Sequence, residues 1–263
     1  MLANPAKKTV ILNKIYNIFL EFGLLRGLVV LSYKLLKKLK LCPPKPCFYK
    51  YPEGCKNRIY YRYDSSDTAS LRQVLDQDEL SCFDNKINPQ LIIDCGAYIG
   101  CSSIYFLNQY PEAHVVAIEP HSKNFKICHR NLKPYKKRVT LIHSAVWSHR
   151  TGLVAYETDW GEWAVQVREC RKGEKPNISA VNLYDLLEKS GFGCIDILKI
   201  DIERSELEVF SHNYDRWLSR VKHIAIELHD EQCKEVFFKT LSQYKYDLSY
   251  SGELVICKNI SLK

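Results

Sequence analysis

Two groups of residues in this sequence have the types and spacing to do chemistry. The first is the stretch "LIIDCGAYIG", Leu91 to Gly100. A short apolar run closes on the carboxyl group of Asp94, and Gly96, Ala97 and Gly100 then form a turn. That turn leads into a helix with Ser102 and Ser103 at its start. Glycines let a backbone approach a ligand, and a helix start offers unpaired N–H groups to a carboxylate or phosphate. Glu119 ends the next apolar run, and an acid so placed can accept both hydroxyls of a ribose. The second group is Asp201, Glu203 and His229, in "DILKIDIERSE" and "IAIELHD". They lie at and just past the ends of two apolar runs. Such groups can take the proton of a weakly acidic hydroxyl, or hold a divalent cation that acidifies it. Glu203 as a helix cap and His229 as a satisfied loop histidine are the plainer alternatives.

The turn lacks the GxGxxG spacing that makes room for a pyrophosphate. Asp94, directly before it, would repel one. An NAD-dependent oxidoreductase is therefore disfavoured. The acid suits a ligand that carries an ammonium group, and S-adenosylmethionine carries an ammonium, a carboxylate, a sulfonium and a ribose. In this reading Asp94 faces the ammonium through water, the helix start faces the carboxylate and Glu119 takes the ribose.

Short apolar runs alternating with helical patterns must position these groups. Strands are expected at Leu91–Asp94, Val115–Ile118, Val139–His143, Ile195–Ile200 and Val221–Glu227, with intervening helices at Tyr98–Gln109, Ser122–Leu132, Ser205–Phe210 and Glu231–Ser242. That alternation predicts an α/β fold with a parallel sheet. Two last runs, Tyr246–Tyr250 and Leu254–Cys257, flank "SGE" and predict a closing antiparallel hairpin, for seven strands in all. An insertion carries a second hairpin, Leu153–Thr158 with Trp163–Glu169, and then a helix ending at Gly191. Trp160 and Trp163 in it could stack on a sugar ring or simply pack. Upstream, "RIYYRY" (58–63) reads as a strand, and Ser65 to Asp67 as caps of a following helix.

Composition sets the outer bounds. With 46% hydrophobic and 26% charged residues, the chain can bury a globular core. The net charge of +8 is lopsided. Residues 1–40 hold eight basic residues and one acid, so the remainder is only +1. A nucleic-acid binder would carry its charge on the folded domain, so no nucleic-acid partner is expected. The 11 cysteines include no CxxC pair. Cys42 and Cys47 flank "PPKP" without a partner cluster, so no metal site is expected there, and a reducing cytoplasm is the expected compartment.

Residues 11–40 are apolar and basic, interrupted by Glu21 and Arg26. The longest charge-free run after Arg26, Gly27 to Tyr33, is short for a membrane span. The expectation is a basic amphipathic helical arm over residues 1–41, bent near Gly23 or Gly27. It packs on the main domain or lies on a membrane through residues 9–40. A linker with a strand and helix follows over 42–90, and the principal domain occupies 91–263.

Four segments, "IIDCGAYIGCSSIYF", "AIEPHSKNFKICHRNL", "LIHSAVWSHRTG" and "DILKIDIERSELEVF", resemble in order and spacing the motifs of the FkbM-type S-adenosylmethionine-dependent methyltransferases. The resemblance spans roughly Leu91 to Cys257 and implies a Rossmann-like class I methyltransferase fold. It implies methylation of a hydroxyl on a sugar, glycan or lipid-linked acceptor. Asp94, Gly96, Ala97, Tyr98 and Gly100 would form the cofactor turn, with Ser102 or Ser103 at the helix start. Glu119 would bind the ribose, Pro120 would shape its loop, and Ser144, Ala145 and Val146 would border the adenine. Asp201 would face the methyl-transfer position. Tyr98 stands where the family has Asn, and Arg204-Ser205 where it has Gly-Ala. A noncatalytic methyltransferase-like module that docks through its arm is the competing reading.

Overall fold

The computed structural model describes residues 5–77, 79–83 and 87–263, with the side chains of 5–9 and 11 excepted. The first residues of the expected arm, and positions 78 and 84–86 of the expected lead-in, therefore lie outside the described residues. The chain forms two compact units: 1–48 with 61–65, and 49–60 with 66–263. The 42–90 segment is thus shared between them rather than standing alone.

In the first unit, helix α1 (Pro5–Lys38) is broken at Gly23, whose φ of 72° and ψ of 173° are not helical. This is one of the two positions expected to bend. Ile18 and Val30 pack on Phe48 of strand β1 (Cys47–Lys50), with Phe22, Leu31, Tyr61 and Tyr63 around them. Tyr61 belongs to strand β2 (Ile59–Arg62), which pairs with β1. The basic residues of α1 turn toward these rings. The Arg26 guanidinium lies 6.0 Å from the centroid of Phe48, and Lys34 Nζ lies 5.8 Å from that of Tyr63. Lys37 Nζ pairs with Asp64 at 2.5 Å, and the Tyr33 hydroxyl donates to the same carboxylate at 3.0 Å. The apolar residues Leu24, Leu25, Leu28, Val29, Leu35 and Leu36 face outward. Apolar Ile18 and Val30 share the inward contact with these cations and aromatic rings. Leu12–Lys38 is also long and apolar enough to cross a membrane by length and composition.

In the second unit a seven-stranded sheet runs in the order β12-β13-β11-β10-β3-β4-β5. Its strands are β3 (Leu91–Cys95), β4 (His114–Ile118), β5 (Val139–Ile142), β10 (Ile195–Ile200), β11 (Val221–Glu227), β12 (Tyr244–Ser251) and β13 (Leu254–Leu262). The first five are mutually parallel, and β13 is antiparallel to both of its neighbours. Every residue of β3 and β10 is buried, which explains their largely apolar sequences. The chain leaves β3 toward β4 and β5 and returns on the other side at β10. A switch point therefore opens between β3 and β10, where α/β sheets bind ligands.

The crossovers carry helices α2 (Asp67–Leu71), α3 (Cys101–Gln109), α4 (Ser122–Leu132), α5 (Leu183–Ser190), α6 (Glu206–Ser211) and α7 (Glu231–Leu241). Helix α3 starts three residues later than expected, because Tyr98 (φ 52°) and Gly100 (φ 92°) are left-handed. Helix α5 ends at Gly191 (φ 77°) as expected, with Asn182 capping its start by accepting from Asp185 N–H at 2.8 Å. The insertion is more than a hairpin. Strands β7 (Gly152–Thr158) and β8 (Gly161–Glu169) join β6 (Ala145–Val146) and β9 (Ile178–Val181) in a four-stranded sheet of order β6-β9-β7-β8.

Candidate active site

The turn after β3 is built by contacts from below. The N–H groups of Gly96 and Ala97 both donate to the carbonyl of Ile118, at 3.0 and 2.9 Å. Gly96 has a φ of +79°, and a Cβ there would overlap the carbonyl oxygen of Asp201. The glycine is therefore required by the close approach of the turn to the end of β10, before any ligand is considered.

Asp94 lies beneath this turn. It is fully buried, and its Oδ2 accepts from the hydroxyls of Ser102 (2.7 Å) and Ser103 (2.6 Å). Its Oδ1 has no hydrogen bond and lies 3.7 Å from Lys199 Nζ. Asp94 thus faces the ammonium of Lys199, its register partner across the β3–β10 pair.

Tyr98 occupies a left-handed conformation that suits Asn better than a bulky residue. Its side chain runs away from the turn to the start of α2, where its hydroxyl meets Asp67 Oδ1 at 2.5 Å and Ser66 Oγ at 2.9 Å. Ser66 thus makes no capping bond to α2. Ser65 bonds the carbonyl of Arg62 instead. Arg204, in the position of the family's glycine, is likewise left-handed (φ 77°), as is Glu203 (φ 52°). Arg204 is held by an ion pair with Asp230 at 2.6 Å.

Glu119 is nearly enclosed. Its Oε2 accepts from the N–H of Tyr98 (2.9 Å) and its Oε1 from that of His121 (2.8 Å), with Asn124 at 3.4 Å. Burial pushes its pKa to about 8 against the pull of these donors. Burial, the nearby Asp201 and an opposing contribution from His229 leave Glu227 at about 8 as well.

The expected catalytic residues meet. His229 Nε2 lies 3.7 Å from Asp201, 3.6 Å from Glu203 and 3.6 Å from Glu227, and its Nδ1 lies 3.3 Å from Glu206. That Nδ1 is off the hydrogen-bond direction, so the contact with Glu206 is one of charge. Burial lowers the His229 pKa, but the surrounding carboxylates overcome it and raise the value to about 11. The surrounding carboxylates thus favour the imidazolium form of His229. Asp201, Glu227 and His229 are also the group whose potential ligand atoms lie within 4.8 Å of one another. The imidazolium supplies the positive charge there.

These pKa values fix a pH dependence. Between about 4.5 and 8 the folded chain keeps the protons of Glu119 and Glu227 that the unfolded chain releases. From about 6.5 to 11 His229 does the same. Stability therefore falls as pH rises, by up to about 1.4 kcal/mol per pH unit for each group. Thermal midpoints measured from pH 5.5 to 8.5 (about the window in which these shifts act) should decline. Glu119→Gln should flatten the slope, and a rising midpoint would contradict the assignment.

A cavity of about 460 Å³ gathers these elements. Of the expected cofactor residues, Gly96, Ala97, Tyr98, Ser102, Glu119, Pro120, Ala145 and Val146 line it, as do Asp201, Glu203 and His229. Asp94, Gly100, Ser103 and Ser144 do not. Trp160 and Trp163 line it from the β7–β8 hairpin. Sequence reasoning missed Lys199, which donates to both Gly96 O (3.2 Å) and Asp201 Oδ2 (3.3 Å). Burial disfavours its charge, but Asp201 and Asp94 outweigh that and hold the ammonium above its ordinary pKa. The available signal was a lysine inside a largely apolar buried strand. Glu79, Glu227 and Glu253 were missed as lining residues too.

The strand order, the reversed closing hairpin and the acid-bordered glycine turn at the switch point define a Rossmann-like class I methyltransferase. Residues 94–248 match the model of the methyltransferase FkbM domain, and the chain belongs to that family. It is 26% identical over 206 residues to the AMB antimetabolite synthetase AmbE of Pseudomonas aeruginosa, covering 64% of this chain and 10% of that protein. It is 36% identical over 58 residues to the 31-O-demethyl-FK506 methyltransferase FkbM of Streptomyces tacrolimicus, covering 22% of each. Its fold aligns with the crystal structure of methyltransferase FkbM from Methylobacillus flagellatus KT at 18% identity and a TM-score of 0.46, covering 67% of this chain and 44% of that one. The chain thus spans a tenth of AmbE's length and less than half of that crystallised chain.

Proposed function

We propose that the chain transfers a methyl group from S-adenosylmethionine to a hydroxyl oxygen of a sugar, glycan or lipid-linked acceptor. One observation carries this reading: a single cavity holds both the Gly96–Tyr98 turn with Glu119 and the carboxyl group of Asp201. The Asp201 side chain is 34% exposed, more than that of Glu203, Glu227 or His229. The cavity volume is within the usual range for cofactor sites. The turn backbone suits the methionine end, Glu119 the ribose, and Ala145 and Val146 the flank of the adenine. The carboxyl groups of Asp201 and Glu253 in the cavity lining favour a cationic ligand.

S-adenosylmethionine supplies an electrophilic methyl group, which the acceptor oxygen takes as the carbon–sulfur bond breaks. Asp201 receives the hydroxyl proton. Lys199 fixes Asp201 by its hydrogen bond, and the His229 imidazolium fixes the adjoining carboxyl groups. The cavity walls hold donor and acceptor in line. Trp160, 82% exposed, and Trp163, whose Nε1–H donates to Trp160 O at 2.9 Å, offer apolar faces to a sugar ring.

Isothermal titration of the folded chain should detect S-adenosylmethionine and S-adenosylhomocysteine, and the absence of both signals would defeat the proposal. Binding without transfer of labelled methyl to any hydroxyl-bearing glycan would favour a noncatalytic module instead.

A further inference from the structure

We infer that α1 lies in the plane of an anionic lipid surface, its outward face sunk into the headgroup boundary, and does not cross the bilayer. This is independent of the cofactor reading and rests on the first unit alone. After the break at Gly23, Leu24, Leu25, Leu28, Val29, Leu35 and Leu36 fall within an arc of about 140° on a helical projection. All six are exposed, Leu25 at 78%. A contiguous apolar face of this kind marks an interaction site.

The opposite side of the helix decides between lying and crossing. Contacts with Phe48, Tyr61, Tyr63 and Asp64 extend from Ile18 to Lys37. Beyond the break at Gly23 they run from Arg26 to Lys37, about 17 Å of helix and about half the hydrocarbon thickness of a bilayer. A crossing helix would drag the Lys37–Asp64 pair, Arg26, Lys34 and non-helical backbone into hydrocarbon, where such groups are expensive. An in-plane helix keeps all of them on the water side.

Charge selects the occupant. Residues 1–40 carry +7, and exposed Lys38 and Lys40 follow the apolar face at the end of α1. A second copy on this face would set one +7 segment against another. Anionic headgroups complement it.

The test uses the full chain with sealed vesicles of phosphatidylcholine, with and without phosphatidylserine. Co-sedimentation is expected with the anionic vesicles. Leu25→Glu with Leu28→Glu should lower the bound fraction at least tenfold while circular dichroism stays unchanged. Leu24→Trp and Leu35→Trp, each compared with the parent chain, should gain equal quenching from lipids brominated at one shallow depth. Failure to pellet, undiminished pelleting of the double variant, or unequal depths at the two tryptophans would overturn the inference. So would a solution dimer that the double variant dissolves.

Discussion

Lys199→Met is expected to cost the folded protein about 3–5 kcal/mol, read as a lower urea midpoint with an unchanged slope. Methionine fills much the same space, so the effect isolates charge. In the native chain Lys199 Nζ stands between Asp94 (3.7 Å) and Asp201 (3.3 Å). Asp94 has no solvent exposure, and its Oδ1 has no hydrogen bond to fall back on. Removing the cation leaves that carboxyl group charged and unpaired, or forces it to take up a proton. The companion variant Asp94→Asn should therefore cost less in a Lys199→Met background than alone, the non-additivity of a directly coupled pair. A loss under about 1 kcal/mol for Lys199→Met would show that the pair contributes little, as exposed ion pairs do.

Asp201→Asn is expected to lower turnover by about 10²- to 10⁴-fold, the usual contribution of a positioned base. The affinity for S-adenosylmethionine should stay within a few-fold. Asparagine can still accept from Lys199, so the end of β10 keeps its shape while the proton acceptor is lost. Single-turnover rates with labelled cofactor, beside binding titrations, separate the two quantities. Unchanged turnover would remove Asp201 from the role and leave Glu203, with Glu203→Gln as the next variant.

The sheet was legible because its parallel strands are largely apolar runs between helical patterns. The strand ends then announced Asp94, Glu119 and Asp201. What stayed hidden was decided by pairing across the chain. Strand β6 has two residues, Ala145 and Val146, and only its register with Ala180 and Val181 makes it a strand. The role of Asp94 depends on Lys199, 105 positions away in sequence and opposite it in the sheet. Tyr98 stood out as a departure from the family, but its route to Asp67 and Ser66 is set by the packing of α2. The arm's composition was plain, whereas its orientation followed from aromatic rings in a hairpin that no helical periodicity reports.

The double hydrogen bond of Lys199, to Gly96 O and Asp201 Oδ2, has a consequence for how this chain can diversify. With Gly96 pressed against the Asp201 carbonyl, the turn and the end of β10 form one knot that tolerates little drift. The β7–β8 hairpin stands outside that knot, and its tryptophans form one wall of the same cavity. In the proposed reading, variation in the acceptor has room there, while the turn and the end of β10 keep their geometry.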